Sequence, residues 1–430
     1  MSSTTSTTLS TPRPRPAGAD LAIVGGRVVP VVGEVIEDGT VLIIGGTIRA
    51  IGPEVAVPAG VPTVDATGRW VLPGFLEAHG HVGVHEEGTG WAGHDTNELT
   101  DPLGARFRAL DAINPADVGF QDALAGGVTS VVVKPGSGNP IGGQTVALKC
   151  WGRIVDEMVI AEPCSVKSAL GENPKRVYGE KKQTPSTRLG VASVIRDALR
   201  DAEDYRARRE SSEAAGQPFD RDSNSEVLAR VVDGELPWCQ HAHRADDIAT
   251  AIRLADEFGF RLVINHGTEG HLLADVLADR SVPVIVGPLF TTRSKVEVSQ
   301  RHLRNPGLLA RAGVKIAITT DHPVVPINFL VYQAILSVKE GLERETALRA
   351  ITINPAEILG LDDRIGSLEV GKDGDVVIWD GDPLEIMSRV RTVVIEGRQV
   401  YEFDDERGEG VTADPYAVLA LSSGPAGGQR

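Results

Sequence analysis

Short apolar runs bounded by polar turns dominate this chain. From Ala19 to Trp70 they read DLAIVGGRVVPVVG, GTVLIIGGTIRAIG and VPTVDATGRW, with Gly-Gly and Asp-Gly pairs between Val/Ile-rich segments. That texture predicts hairpins. GDVVIWDGDP and RTVVIEGRQVY repeat it near the other end. Residues 19–70 and 363–402 are therefore expected to form one small β-sandwich from both chain ends. Between them, strand-like runs alternate with helical patterns. Strands are expected at VLPGFLEA (71–78), VTSVVVK (128–134), TVALKC (145–150), CSVKSAL (164–170), PWCQHA (237–242), RLVINH (261–266), VPVIVG (282–287) and VKIAITT (314–320). The clearest helical pattern is ADDIATAIRLADEFG, where Ile248, Ile252, Ala255 and Phe258 recur at helical spacing. Its first turn is acidic and Gly259 is a stop. NPAEILGL predicts another helix, with Asn354 as N-cap and Pro355 at the first helical position. The charged stretch 200–235 predicts a solvated helix pair. Strands alternating with helices predict an α/β fold, a (β/α)8 TIM barrel over 71–362.

Bulk properties narrow the picture. A chain of 430 residues accommodates one barrel of about 250 residues plus a smaller module. The formal charge of −16 argues against nucleic acid or an anionic membrane surface as partner. No apolar run is long enough to span a bilayer. Cys150, Cys164 and Cys239 form no CxxC pair, so neither a disulfide framework nor a zinc knuckle is indicated. Reduced thiols in a cytoplasmic compartment are the expectation. The opening MSSTTSTTLSTPRPRPAG (1–18) lacks the apolar core of a signal peptide and reads as a disordered arm. Residues 403–430 read as a flexible tail.

The chemistry collects at the strand ends. In VLPGFLEAHGHVG, His79 and His81 stand at i and i+2, so they point to one face of a strand. Two convergent neutral imidazoles suit a divalent metal. The strand at 237–242 runs into Gln240, His241, Ala242 and His243; that at 261–266 ends in Asn265 and His266; that at 314–320 leads into Asp321 and His322. In a barrel these C-terminal ends face the active site. One histidine at a strand end is usually a satisfied core residue. So many on one rim predict a metal-dependent hydrolase. Two other classes stay open: a ring deaminase, and a metal-free barrel serving only as a scaffold.

PGFLEAHGH meets the pattern PGF(I/L)(D/E)xHxH, and ITINPAEILGLDDRIGSLEVGKDGDVVIWDGDP reads as a return from barrel to sandwich. On these motifs the chain resembles the amidohydrolase superfamily over residues 20–402, and within it the imidazolonepropionase-like and Xaa-Pro dipeptidase-like branch. The resemblance implies hydrolysis of a C–N bond in amides, cyclic amides or amidines of peptide-like substrates; one related activity matures ribosomal peptides. It implies metal ligation by His79, His81, His243, His266 and Asp321. His241 shares the face of His243 and is an alternative ligand or a substrate contact. A bridging anion would come from a carboxylated Lys167 or from Glu172, so one or two ions are expected. Lys134 and Lys149 read as substrate contacts or structural ion pairs. Zinc is the default, with iron, manganese and cobalt compatible with the same ligands. Such a metal lowers the pKa of bound water from 15.7 to about 7. Asp321 would move the proton, and His266 or His322 would stabilise the developing oxyanion. Barrels of this kind often pair, so an assembly of like chains is an open expectation.

The stretch GENPKRVYGEKKQTPSTRLG is cationic in an acidic protein. Arg176 and Arg188, with Tyr178, are expected to clamp a substrate carboxylate. The acidic loop HEEGTGWAGHDTNELTD, with His94, would suit an amine or cationic amidine.

Overall fold

The computed structural model describes residues 18–416. Of the arm expected at 1–18, residues 1–17 lie outside the described residues, as does the tail beyond 416. The chain opens with strands β1 (Leu21–Val28), β2 (Ile36–Ile44), β3 (Thr47–Gly52), β4 (Thr63–Asp65) and β5 (Trp70–Pro73). Next come β6 (Phe75–Gly80), β7 (Val128–Val133), β8 (Ile141–Gln144), β9 (Val146–Lys149) and β10 (Val159–Ala161). They are followed by β11 (Val166–Ala169), β12 (Trp238–Ala242), β13 (Leu262–His266), β14 (Val284–Val286) and β15 (Ile316–Ile318). The chain returns with β16 (Val376–Trp379), β17 (Val390–Ile395), β18 (Arg398–Asp404) and β19 (Glu409–Thr412). Together with the intervening helices these strands make a mixed α/β fold.

Both chain ends enter one sheet. β5 pairs antiparallel with β16, Val71 opposite Ile378, within a nine-stranded sheet. Ile23, Ile43, Ile48, Val71, Val376, Ile378 and Val394 pack into its core. The stretch 71–78, expected as a single strand, is therefore two: Val71 and Leu72 serve this sheet, whereas Phe75 and Leu76 begin β6. Gly74 marks the crossing. A Cβ there would lie 1.9 Å from Thr129 Oγ1, so the close approach admits only glycine. Residues 403–416, expected as part of a flexible tail, are built in, because β19 pairs with β18 and the Trp151 indole donates to the Ala413 carbonyl at 2.9 Å.

The middle section forms a four-stranded sheet, β10-β9-β7-β6, and a six-stranded one, β15-β14-β13-β12-β11-β8. β11 through β15 are parallel, as are β6 and β7. One expectation fails: TVALKC is not a parallel strand. β9 runs antiparallel to β7, and β8 runs antiparallel to β11. Thr145 joins them, donating its N–H to Ser165 and accepting from Cys164. The residues between β7 and β8, KPGSGNP, are too few and too rich in Gly and Pro for the crossover helix that a parallel neighbour needs.

The strand interiors meet in one apolar layer of Leu76, Val132, Ala147, Cys239, Val263, Ile285 and Ala317. Two residues further along their strands, on the same face, come the buried polar side chains Lys134, His241, Asn265 and Thr319. The helix Ala245–Phe258 is as predicted, closed by Gly259 in the left-handed conformation. The expected solvated pair is Arg188–Ala215 and Ser223–Val232, starting earlier than 200 because the Thr187 hydroxyl accepts from Gly190 N–H and caps it. Asn354 is not an N-cap. Thr352 holds that position, and the Asn354 amide donates instead to the Ile316 carbonyl at 2.9 Å.

Candidate metal centre

His79, His81, His241, His243, His266 and Asp321 converge where β6, β12, β13 and β15 end. His79 Nε2 lies 2.9 Å, and His81 Nε2 3.3 Å, from Asp321 Oδ1. The His266 ring centroid is 5.0 Å from that of His79, 4.5 Å from His241 and 4.8 Å from His243. Among the described residues, two groups place their ligand atoms within 4.8 Å of one another: His241, His243 and His266, and His79, His266 and Asp321. Of the two histidines left open after β12, both belong to the cluster.

Hydrogen bonds orient the rings. His81 Nδ1 donates to the Lys134 carbonyl and His266 Nδ1 to the Gly287 carbonyl, each at 2.8 Å. A carbonyl accepts only from N–H, so each Nε2 keeps its lone pair. His243 Nδ1 sits 2.8 Å from Thr268 Oγ1. Among the described residues His79 Nδ1 and both ring nitrogens of His241 are buried without a hydrogen-bond partner, a costly state in the absence of a ligand. His266 and Asp321 adopt positive φ, 73° and 55°, strain of a kind that gathers at functional sites.

Burial favours the neutral form of four of these imidazoles. Burial holds His79, His241 and His243 well below the ordinary histidine pKa. It also brings His266 down to about 4. Burial opposes the Asp321 carboxylate, yet the neighbouring His266 and His79 imidazoles hold it well below the usual range. Neutral imidazole and ionised carboxylate are the forms that bind a divalent cation. The donor set therefore fits one.

Lys167 is buried beside this cluster, with its amine donating to the Pro135 carbonyl at 3.1 Å. Burial lowers its pKa to about 7. Glu172, its rival as bridging ligand, is absent from both groups; it begins the helix Glu172–Glu180, where its N–H donates to Glu297. His322 is fully buried, its Nδ1 accepting from Ile327 N–H at 3.2 Å, and burial brings it down to about 4.

The cationic clamp does not form as expected. Arg188 is committed to two buried carboxylates, Asp247 and Glu297, each at 3.1 Å. Tyr178 is fully buried and its hydroxyl accepts from the Asn139 amide at 3.0 Å. Arg176 is exposed on its helix, and His94, also exposed, lies against His85 with the rings tilted by 38° and centroids 3.9 Å apart. Helical periodicity buries one side of 172–180 and turns the other outward, a sidedness that charge counting ignores. Lys134 donates to Asn265 at 3.2 Å, and Lys149 is ion-paired with Asp373 and Asp375.

Sequence reasoning gave Glu77 no role, although it stands inside PGFLEAHGH. The side chain is fully buried and accepts four hydrogen bonds: from the Thr319 hydroxyl (2.5 Å), His79 N–H (3.0 Å), Thr320 N–H (2.8 Å) and the Thr320 hydroxyl (2.7 Å). It thus ties β6 to the turn carrying Asp321. Glu77→Ala leaves the His79 and Thr320 donors buried and unpaired, while the Thr319 hydroxyl keeps the His79 carbonyl as acceptor, and is expected to cost about 3 kcal/mol or more, since each such group costs about 1–3 kcal/mol. Thermal unfolding checks this; an unchanged midpoint contradicts it.

The comparisons with known proteins agree with this geometry. A family model described as Amidohydrolase family matches residues 155–401, more than half of the chain. The chain is 28% identical over 398 residues to amidohydrolase tasK of Hapsidospora irregularis, covering 85% of this chain but only 40% of that protein's length. It is 28% identical over 399 residues to an imidazolonepropionase of Mesorhizobium japonicum, covering 83% of this chain and 90% of that protein. An amidohydrolase crystal structure from Thermotoga maritima superposes with a TM-score of 0.86 at 45% identity, covering 89% of this chain and all of that one. A prolidase complexed with N-methylphosphonate-L-proline shares the fold, with a TM-score of 0.57 at 20% identity. The chain belongs to the amidohydrolase family and is a hydrolase.

Proposed function

We propose that this protein is a metal-dependent hydrolase that cleaves a C–N bond, in an amide, cyclic amide or amidine, of a small peptide-like or amino-acid-derived substrate. The observation that carries this reading is the convergence of five imidazoles and one carboxylate, with buried nitrogens on His79 and His241 that have no hydrogen-bond partner among the described residues. His79, His81, His266 and Asp321, with His241 or His243, would hold the cation, and Lys167 is the candidate for an additional, carboxylated ligand. An amine with a pKa near 7 is partly unprotonated at neutral pH, as attack on carbon dioxide requires. The ligand set favours zinc. A bound divalent cation supplies Lewis acidity, acidifying water and polarising the scissile carbonyl or C=N group. Asp321 accepts the proton of the attacking water and delivers it to the leaving nitrogen. His322, neutral and buried, has its Nε2 3.9 Å from Glu87 Oε1 and is the candidate donor to the developing oxyanion.

The one apolar layer shared by β6, β7, β9 and β12 to β15 supports reading the two middle sheets as one barrel. It would close where Glu77 of β6 meets Thr319 and Thr320 after β15. In that reading 71–362 is the catalytic barrel, with β8 and β9 as its reversed strand.

The test is a panel of dipeptides, N-acyl amino acids, cyclic amides and amidines, assayed with metal content measured on the same preparation. Turnover that follows zinc, iron, manganese or cobalt occupancy is the expected result. Ammonia release from a heterocycle would mark ring deamination instead. A metal-replete protein inert toward the whole panel would overturn the reading.

A further inference from the structure

We propose that Lys295 is the binding residue for an anionic group, a carboxylate, of the substrate that lies across the histidine cluster. Three loops at the strand ends are joined in one polar chain. Lys167 donates to the Pro135 carbonyl at 3.1 Å; two residues on, Ser137 Oγ accepts from the Asn173 amide at 2.7 Å; Asn173 Oδ1 accepts from Lys295 Nζ at 3.0 Å. Lys295 therefore stands over the site from the loop after β14. Its positive charge also reaches the imidazoles of His241, His243 and His266, where it disfavours protonation.

Among the described residues no carboxylate is ion-paired with this ammonium, whose hydrogen bond goes to the neutral Asn173 amide. Glu297, two residues away and buried, spends one carboxylate oxygen on Glu172 N–H and Arg188. Those contacts fix the loop; the Glu297 carboxyl still feels the Lys295 charge, but Lys295 forms no ion pair among the described residues. An ammonium carries three donors, and Asn173 takes one. A half-buried cation with donors to spare beside a hydrolytic centre fits a carboxylate better than an amide or an amine. The expected substrate class is thus N-acyl amino acids, dipeptides or ring amides bearing a free carboxylate. The location of the scissile bond rests on the hydrolase reading; the binding of the anion does not.

The test is calorimetric titration of the full-length protein with N-acetyl-L-leucine, N-acetyl-L-proline and imidazole-4-propionate, each against its primary amide. The wild type is expected to prefer at least one acid over its amide by about tenfold or more, the range of a charge-assisted hydrogen bond. Lys295→Met should erase that preference while amide binding stays unchanged, and Lys295→Arg should restore part of it. A purely structural role for Lys295, through Asn173, would weaken acid and amide equally and overturns the proposal. A wild type without preference, or a preference that survives in Lys295→Met, overturns it as well. Turnover of the same compounds is scored separately: selective acid binding without hydrolysis of any would sink the hydrolase reading and leave Lys295 standing.

Discussion

Replacing His79 or His81 by alanine is expected to strip the divalent metal and abolish activity together while the chain still folds. Both Nε2 atoms lie within 3.3 Å of the same oxygen, Asp321 Oδ1, so each variant removes one arm of a shared donor set. Changes to residues that merely orient a ligand typically cost about 10–100-fold in metal affinity, and loss of a ligand itself should cost at least that. Both substitutions delete a polar ring without introducing a new buried charge. The β6 backbone is also held independently, by Glu77 and by the His81 N–H donating to the His322 carbonyl. Elemental analysis with far-UV circular dichroism reads both quantities. Full metal occupancy in either variant would rule out the ligand assignment.

Asp321→Asn is expected to keep much of the metal and to lower kcat by about 10²–10⁴-fold, the usual contribution of a general acid–base group. Asparagine keeps the size and one acceptor oxygen. It cannot accept a proton at any working pH. The surrounding imidazoles stabilise the ionised carboxylate, so in the wild type this group is ready to accept one across the neutral range. Steady-state kinetics on the substrate found in the panel, with metal content measured in parallel, gives the answer. Near-normal kcat with normal occupancy would mean that another residue moves the proton.

Local signals in the chain were enough for several of these features. The HxH pair is legible because i and i+2 share a face of any strand, whatever the strand packs against. The helix at 245–258 and its Gly259 stop follow from periodicity and from a left-handed cap, both set within a few residues. His266 and Asp321 were found by a simple rule, that polar residues at the ends of apolar strands face a common rim. Arg188 was misread because its partners, Asp247 and Glu297, lie 59 and 109 residues away; nothing near it in sequence announces two buried carboxylates. Asn354 was misread for the same reason, since a cap and a tether to a neighbouring strand look alike in sequence.

The sequence alone thus determined the mixed α/β character, the return of the chain end to the first sheet, and which histidines and aspartate make up the candidate site. These depend on patterns of period two or 3.6 and on residue chemistry. Tertiary structure alone decided that β8 and β9 run backwards, that Glu77 locks Thr319 and Thr320 across 242 and 243 residues, and that Arg188 goes to two buried carboxylates while Lys295 is tied to Asn173. The physical reason is that hydrogen-bond and charge partners are chosen by register and packing between distant segments. A side chain's own neighbours in sequence carry no record of that choice.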